Sequence, residues 1–256
     1  MENIFEHIQE LQQKGQSFVL CSLTESQGSV PRKAGSKMVV LPDGGIIGTI
    51  GGGVMEKEAI ADALQVLQNN APLHKKYIRH DHNEKQPSGW ITVFFDPLPA
   101  RERLFIFGAG HVGASLARLA KHAGFSCIVI DPRPDLIQKL ENEGFLTKSK
   151  AYTEEAQSLD IRESDFVFIT THSHETDRDL LAVFAGRSLA WLGMIGSQKK
   201  AQAAREYLLE KGLATPEQVK KIEMPAGIPI MVHTPAEIAV SILARLIDIK
   251  NSPQLR

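Results

Sequence analysis

The glycine-rich segment Gly108–Gly113, with the sequence GAGHVG, constrains the fold of this chain more than any other feature. The apolar run Leu104–Phe107 precedes it and the helix-forming segment Ala114–Ala120 follows it. A turn that joins a buried strand so tightly to a helix needs glycine, and the amides at the helix start can then bind a phosphate. A second apolar run ends at Asp131, about 20 residues beyond Gly108, where dinucleotide-binding folds place an acid for a ribose hydroxyl. The segment therefore predicts a sheet of the Rossmann type.

The chain downstream of this turn alternates between strand and helix patterns. Phe166–Ile169 is predicted as a third buried strand and Leu189–Leu192 as a fourth, with amphipathic helices between them. Thr215 and Thr234 are each followed by proline and read as helix starts, because threonine can cap and proline fits the first turn. We expect residues 101–256 to form a Rossmann-like, doubly wound parallel sheet, so the fold class is α/β.

The first part of the chain has a different pattern and predicts a separate mixed α+β domain over residues 1–97. A helix over residues 2–14 and a strand over 18–23 are followed by a hairpin over 37–50. A helix over residues 54–69 and two further strands, around 75–80 and 90–95, complete the pattern. The proline-rich segment Asp96–Arg101 is predicted to be the boundary between the domains.

Composition and charge exclude several classes of function. Lys and Arg number 29 against 30 Asp and Glu, for a net charge of -1, and no basic block suits a nucleic acid. The acidic, amphipathic start does not resemble a secretion signal, and no apolar run reaches membrane-spanning length, so we expect a cytoplasmic protein without a membrane partner. Cys21 and Cys127 lie in predicted strands and are expected to be buried thiols rather than a disulfide or a zinc site.

A second glycine cluster, Gly48 and Gly51–Gly53, lies just before the helix of the first domain. Its backbone amides are expected to be free to bind an anion such as a phosphate or the edge of a pterin. The hydroxyl of Ser29 and the guanidinium of Arg32 could donate to the same kind of anion. The alternative is a tight strand-to-helix connection that needs glycine only for positive φ angles.

Polar residues also follow the third and fourth strands of the second domain, at the sheet edge where ligands bind in such folds. His172, His174 and Asp177 could hold a metal ion or transfer protons, and His111 could join them; alternatively Thr171 or Ser173 caps a helix and the histidines are solvated. Lys199 and Lys200 in the first turn of a helix oppose its dipole, which indicates a nearby anion or carboxylate unless both are simply solvated. Arg133 could bind a phosphate or only solvate its loop.

Taken in order along nearly the whole chain, these motifs resemble the XdhC/CoxI family. The resemblance rests on residues 28–32, residues 48–53 with Glu56, the Gly108–Gly113 turn, residues 131–133, 171–174, 193–200, 225–227 and 234–239. It implies an N-terminal XdhC/CoxI domain, a C-terminal Rossmann domain and a homodimer. It further implies an accessory protein that binds molybdenum cofactor, protects it during sulfuration and delivers it to a xanthine-dehydrogenase-type enzyme.

One departure from the family concerns a cysteine. Family members often carry Cys-Gly-Gly before the last strand of the first domain, and this chain has Pro87, Ser88, Gly89 and Trp90 there. A thiolate is a soft ligand for molybdenum, and the hydroxyl of serine cannot replace it. This member is expected either to hold its cofactor without that contact or to have a different task.

The leading hypothesis is a non-catalytic chaperone that binds molybdenum cofactor, with NAD(P) as a further candidate ligand. Its partners would be an apo molybdenum hydroxylase and a cysteine desulfurase. Its binding residues would be Ser29, Arg32, Gly48, Gly51, Gly52, Gly53 and Glu56 in the first domain, and Gly108, Gly110, His111, Gly113, Asp131, Arg133, His172, His174, Gly196, Ser197 and Lys200 in the second. The alternatives are an NAD(P)-dependent oxidoreductase that uses the Rossmann crevice and a metal-dependent hydrolase built on His172, His174 and Asp177.

Overall fold

The structure is a computed structural model that describes residues 4–79 and 88–252. The chain divides into two compact units, Met1–Arg101 and Glu102–Arg256. Residues 2 and 3 of the predicted first helix, His80 of a predicted strand, and Pro87 lie outside the described residues.

Over residues 4–79 and 88–101, the first unit is a five-stranded antiparallel sheet with two helices. Its elements are α1 (Ile4–Gln13), β1 (Phe18–Gly28), β2 (Lys37–Val40), β3 (Ile46–Gly48), α2 (Gly53–Asn69), β4 (Leu73–Arg79) and β5 (Gly89–Leu98). The strand order is β3-β2-β1-β5-β4, and every neighbouring pair is antiparallel. The predicted hairpin is confirmed as β2 and β3.

Both faces of this sheet are covered, because successive side chains of a strand point to opposite faces. Val19 and Cys21 of β1 pack in the cluster that includes the buried face of α2, whereas Phe18 packs with Leu11 of α1. The alternating burial along β1 and β2 thus places one helix on each face of the sheet.

The segment Asp96–Arg101, where the domain boundary is predicted, includes the end of a strand, because Asp96, Pro97 and Leu98 belong to β5. The pairing of β5 with β4 ends at Phe95, so beyond this point β5 has only β1 beside it. Proline lacks an N–H group, and a strand that has a neighbour on one side only can tolerate that loss. The two units divide after Arg101, the last residue of this segment.

The second unit is the predicted doubly wound parallel sheet. Its elements are β6 (Arg103–Phe107), α3 (His111–His122), β7 (Ser126–Ile130), α4 (Pro134–Asn142), β8 (Leu146–Lys148), α5 (Tyr152–Ser158), β9 (Phe166–Ile169), α6 (His174–Phe184), β10 (Trp191–Met194), α7 (Gln198–Glu210), α8 (Pro216–Lys221) and α9 (Pro235–Asn251). The order β10-β9-β6-β7-β8 is that of a Rossmann sheet, and all neighbours are parallel. From β6 the chain adds β7 and β8 on one side of the sheet, and it then adds β9 and β10 on the other side of β6.

The strands of this sheet are apolar throughout because both faces are covered. One face packs against α5, α6, α7 and α8, and the other against α3, α4 and α9. Capping boxes start α8 at Thr215 and α9 at Thr234, as the sequence predicts. No helix among the described residues has the length and apolar character needed to cross a bilayer.

Two details of this unit differ from the sequence prediction. The edge strand β8 was not predicted, since its three residues form no apolar run. The fourth strand begins at Trp191 rather than Leu189 and continues through Gly193. A Cβ on Gly193 would lie 2.2 Å from the Trp191 ring, so glycine makes room there for the indole.

Candidate functional site

The carboxyl ends of β6 and β9 meet where the strand order reverses, which is where ligands bind in open α/β sheets. The amide of Thr170, just after β9, donates a hydrogen bond of 2.8 Å to the carbonyl of Phe107 at the end of β6. A Cβ on Gly108 would lie 2.2 Å from the carbonyl oxygen of Thr170. The glycine turn and the loop after β9 therefore form one edge of a crevice.

The three glycines of the turn have three different reasons to be glycine. Gly108 has a φ of +118° and Gly113 would place a Cβ 1.9 Å from the carbonyl oxygen of Gly108, so both are required by the chain itself. Gly110 has an ordinary φ of -67° and precedes α3 as its N-cap. Apart from its chain neighbours, no described atom lies within 4 Å of the Cβ it would carry. Gly110 keeps open the space in front of the first amides of α3.

Asp131 follows β7 as predicted, but its carboxylate is turned into the unit and is fully buried. It accepts hydrogen bonds from the Ala109 amide at 2.8 Å and from the Tyr152 hydroxyl at 2.9 Å. Arg133 donates from Nε at 2.8 Å, from Nη2 at 2.6 Å and from its amide at 3.0 Å. Burial alone would raise the pKa of Asp131, but the bonds from Arg133, Ala109 and Tyr152 together lower it to about 2. The acid is ionised and bound by its own unit.

The start of α6 contains the predicted histidines, and a cap forms there. The Ser173 hydroxyl accepts from the Thr176 amide at 3.4 Å, which makes Ser173 the N-cap. His172 and His174 are exposed. Asp177 is fully buried and accepts from the Thr171 hydroxyl at 2.6 Å and from Lys200 Nζ at 2.7 Å. The carboxylate that the two lysines indicate is therefore Asp177.

This arrangement does not support the hypothesis of a metal-dependent hydrolase, because His172, His174 and Asp177 do not form a metal site. Within residues 4–79 and 88–252, no group of three or more His, Cys, Asp and Glu side chains is arranged to hold a metal ion. Asp177 is occupied by Lys200 and Thr171, and the two histidines beside it are on the surface. His111 begins α3 and is also exposed.

A cleft of about 440 Å³ lies between the starts of α6 and α7. It is lined by His174, Arg178, Met194, Ser197, Lys199, Lys200, Ala203 and Ala204. Ser197 caps α7 by accepting from the Lys200 amide at 3.3 Å. Gly196 lies against the aliphatic part of Lys200, since a Cβ there would be 2.8 Å from Cδ. The lining combines cations, a helix N-terminus and an apolar wall.

The glycine loop of the first unit differs in part from expectation, because the amides of Gly51 and Gly52 already have a partner within the chain. The Glu56 carboxylate accepts from the amides of Ile50 at 3.0 Å, Gly51 at 3.3 Å and Gly52 at 3.1 Å, and from the Thr49 hydroxyl. Burial alone would raise the pKa of Glu56, but these hydrogen bonds lower it. Gly48, Gly52 and Gly53 have positive φ angles, so glycine is required there by the conformation of the loop. The chain's own carboxylate therefore binds two of the glycine amides that are predicted to bind an anion.

The segment that includes Ser29 and Arg32 lies beside this loop. The sequence alone does not show whether the two are close together. A Cβ on Gly51 would be 3.0 Å from Pro31 Cγ and 3.7 Å from Arg32 Cγ. Ser88 contacts the same segment, because its carbonyl accepts from the Ser29 amide at 2.8 Å. Arg32, the Gly51 loop and the position of the family's cysteine are therefore neighbours within the first unit.

The cysteines themselves are poor candidates for chemistry. Cys21 and Cys127 are free and buried, as predicted. Burial raises the pKa of each thiol to about 12. Both are protonated near neutral pH and therefore weak nucleophiles.

Two residues of the second unit were missed by the sequence analysis. Tyr152 donates to Asp131 across 21 residues, and no local pattern links the two. Arg178 lines the cleft one helical turn after His174, so helical spacing could have found it. Its guanidinium lies 5.0 Å from the centre of the Tyr207 ring, a cation–π contact that holds it over α7.

The chain is similar in sequence to two protein-family models and to proteins of two bacteria. Two protein-family models match: one described as the XdhC Rossmann domain over residues 104–246, and one described as the XdhC and CoxI family over residues 11–77. The chain is 34% identical to the uncharacterised protein YqeB of Escherichia coli (strain K12) over 259 residues, covering 98% of this chain and 47% of YqeB. It is 30% identical over 163 residues to a protein of Bacillus subtilis (strain 168) described as a probable xanthine dehydrogenase subunit, covering 61% of this chain and 46% of that protein.

The chain thus spans about half the length of the curated relatives it matches. Among solved structures, it is similar to one described as a xanthine dehydrogenase from Bacillus halodurans, with a TM-score of 0.52 and 22% identity. The match covers 98% of this chain and 99% of the other. This likeness supports the same fold over the full length of both chains.

Proposed function

Because this chain belongs to the XdhC and CoxI family, we propose that it is an accessory protein that carries molybdenum cofactor to a molybdenum hydroxylase. It would hold the cofactor while a cysteine desulfurase supplies sulfur, and then hand it to the apoenzyme. The Bacillus subtilis relative and the Bacillus halodurans structure are both named xanthine dehydrogenase, which supports this enzyme class as the client. The task is binding and release, so it requires donors for an anion rather than an acid–base pair.

The observation that carries this proposal is the cationic cleft between α6 and α7. Lys200 is neutralised by Asp177 at 2.7 Å, but Lys199 is exposed and has no salt-bridge partner within the described ranges. Arg178 adds a second positive charge to the lining of the cleft. The N-terminus of the 13-residue helix α7 also belongs to this lining, and its dipole favours an anion. Molybdenum cofactor is a pterin with a phosphate group, so it is an anion with a flat, partly apolar body.

The cleft also has a suitable size and lining for such a ligand. Its volume of about 440 Å³ is within the range of small-molecule sites, roughly 300–1,000 Å³. Met194, Ala203 and Ala204 supply an apolar wall for a ring system. In the first unit Glu56 already accepts from the amides of Ile50, Gly51 and Gly52, so the exposed side chains of Ser29 and Arg32 are the predicted side-chain donors of that unit.

The test is retention of molybdenum cofactor by the purified chain under anaerobic, reducing conditions. We expect the native chain to retain it and the double variant Lys199→Glu/Arg178→Glu to bind about tenfold or more weakly, since two attractive charges become repulsive. Lys139→Glu is the matched control, because Lys139 is an exposed lysine on α4 away from the cleft lining. A native chain that does not retain the cofactor, or an equal loss in the control, would contradict the proposal.

The NAD(P)-dependent oxidoreductase is a second candidate, and the glycine turn is the observation that favours it. Gly108 and Gly113 hold the turn in the form that suits a pyrophosphate. Hydride transfer also needs a proton donor or acceptor beside the nicotinamide, and His111, His172 and His174 are all exposed. Loss of reduced-nicotinamide absorbance during turnover with a carbonyl substrate would favour this candidate, and binding without turnover would favour a carrier.

A further inference from the structure

The two ends of the Rossmann crevice differ in what they offer a dinucleotide. At the phosphate end, Gly110 leaves the space before α3 open, with no described atom other than its chain neighbours within 4 Å of a Cβ there. At the ribose end, Asp131 is fully buried and its carboxylate is already hydrogen-bonded. A phosphate can approach the turn, whereas a ribose cannot reach the acid in the usual way.

A count of the hydrogen bonds to Asp131 shows why a ribose cannot bind to this carboxylate. A carboxylate offers about four lone-pair sites, and Asp131 accepts five hydrogen bonds. The two hydroxyls of an adenosine ribose would each need an acceptor on that carboxylate. They could bind only if Arg133 left it, and a charge-assisted bidentate pair is among the stronger side-chain interactions.

Arg133 itself faces the solvent and retains donors. It uses Nε and Nη2 for Asp131 and also contacts the Tyr152 hydroxyl, and no hydrogen bond joins Nη1 to that carboxylate. Its side chain is 40% exposed, whereas that of Asp131 is 0% exposed. Because Ala109 and Tyr152 hold Asp131 in place, Asp131 in turn fixes the plane of the guanidinium. A planar guanidinium with free N–H groups matches the geometry of a phosphate.

We propose that the Rossmann unit binds a dinucleotide that carries an additional phosphate on its adenosine ribose, and that Arg133 binds this phosphate. Asp131 is then a positioning residue for Arg133 and not the acceptor of a ribose diol. A dinucleotide with a free diol is disfavoured, because it must displace Arg133 from a buried acid. This inference does not rest on the molybdenum-cofactor proposal, since it concerns a different ligand and different residues.

The test is calorimetric titration of the full chain with NADP⁺ and with NAD⁺. We expect NADP⁺ to bind about tenfold or more tightly than NAD⁺ in the native chain. In Arg133→Leu this preference should disappear and NAD⁺ affinity should rise, because Asp131 then has free lone pairs for the diol. Arg162→Leu, which removes an exposed arginine elsewhere in the unit, should leave both affinities unchanged.

A second variant protects the test against a folding defect. Arg133→Lys keeps a positive charge beside Asp131 but lacks the planar fork, so we expect a folded chain with a reduced preference for NADP⁺. Asp131→Asn should also reduce the preference, since it weakens the positioning of Arg133. Equal or tighter binding of NAD⁺ by the native chain, or no binding of either dinucleotide, would overturn the proposal.

Discussion

Three acidic residues that lie near predicted ligand sites are bound by their own chain. Glu56 binds three amides of the first glycine loop, Asp131 binds Arg133 and Tyr152, and Asp177 binds Lys200. A buried charge without partners is costly, so a carboxylate in such a place needs donors whether or not a ligand is present. At the scale of the residue, the groups that can meet an anionic ligand are therefore cations and free amides.

The bound state of Asp131 predicts a dependence of stability on acid pH. Its pKa in the folded chain is about 2, below the ordinary value of 3.8. Because the pKa is lower in the folded chain, the ionised carboxylate stabilises the folded state at pH values above the pKa of the unfolded chain. This contribution to the free energy of unfolding, roughly 2 kcal/mol, is lost as the pH falls from about 4 towards 2. In urea unfolding, the free energies of unfolding of the native chain and of Asp131→Asn should differ by this amount at pH 6. The difference should become smaller below pH 4.

The control for this measurement is Asp179→Asn, which removes an exposed acid of α6. It should change the free energy of unfolding by less than about 0.5 kcal/mol at every pH. If the difference between native chain and Asp131→Asn did not change on acidification, the carboxylate would not be held as described.

At the scale of the element, the β6–α3 turn contains two glycines that the fold requires, Gly108 and Gly113, and one, Gly110, beside which the structure leaves open space. Gly113→Ala puts a methyl group 1.9 Å from the carbonyl oxygen of Gly108, so the strand and helix must move apart. We expect a loss of about 3 kcal/mol in the free energy of unfolding, as for overpacked sites. Gly110→Ala meets no such neighbour and should cost less than about 1 kcal/mol, the scale of a weakened N-cap.

The same pair of variants separates folding from binding. Denaturant unfolding gives the stability of each, and titration with NADP⁺ gives its affinity. Gly110→Ala should remain stable and lose affinity, because its methyl group projects into the open space where the proposed dinucleotide phosphate would bind. A stable Gly113→Ala, or a Gly110→Ala that binds as the native chain does, would contradict this assignment.

At the scale of the whole molecule, each unit has hydrophobic clusters of its own. The clusters of the first unit draw only on residues before Arg101, and those of the second only on residues after Glu102. Fragments 1–101 and 102–256 should therefore each fold and unfold cooperatively. The chain has two tryptophans, Trp90 and Trp191, so each fragment contains one fluorescent reporter.

Thermal unfolding followed by tryptophan emission is the measurement for these fragments. Trp191 is 4% exposed, so the second fragment should emit at short wavelength when folded and shift to the red in one transition. A gradual shift without a transition would show that the unit depends on the rest of the chain.

Sequence patterns predicted elements better than contacts between them. Apolar runs and the glycine turn indicated β6, β7 and β9 correctly, because periodicity and glycine act locally. The edge strand β8 has only three residues and no such pattern, and Tyr152 lies 21 residues from the Asp131 that it binds. For Lys200 the sequence provided part of the answer. Its place at a helix start indicated a nearby anion or carboxylate, and the structure identifies Asp177 as that carboxylate.

The three reasons for glycine in the β6–α3 turn also bear on how such chains diverge. Replacement of Gly108 or Gly113 is opposed by folding, so selection against it acts on every descendant that needs the unit at all. If the turn binds a dinucleotide as proposed, replacement of Gly110 is opposed only where that ligand is still used. A descendant that keeps Gly108 and Gly113 but has another residue in place of Gly110 would then have retained the scaffold and lost the phosphate site.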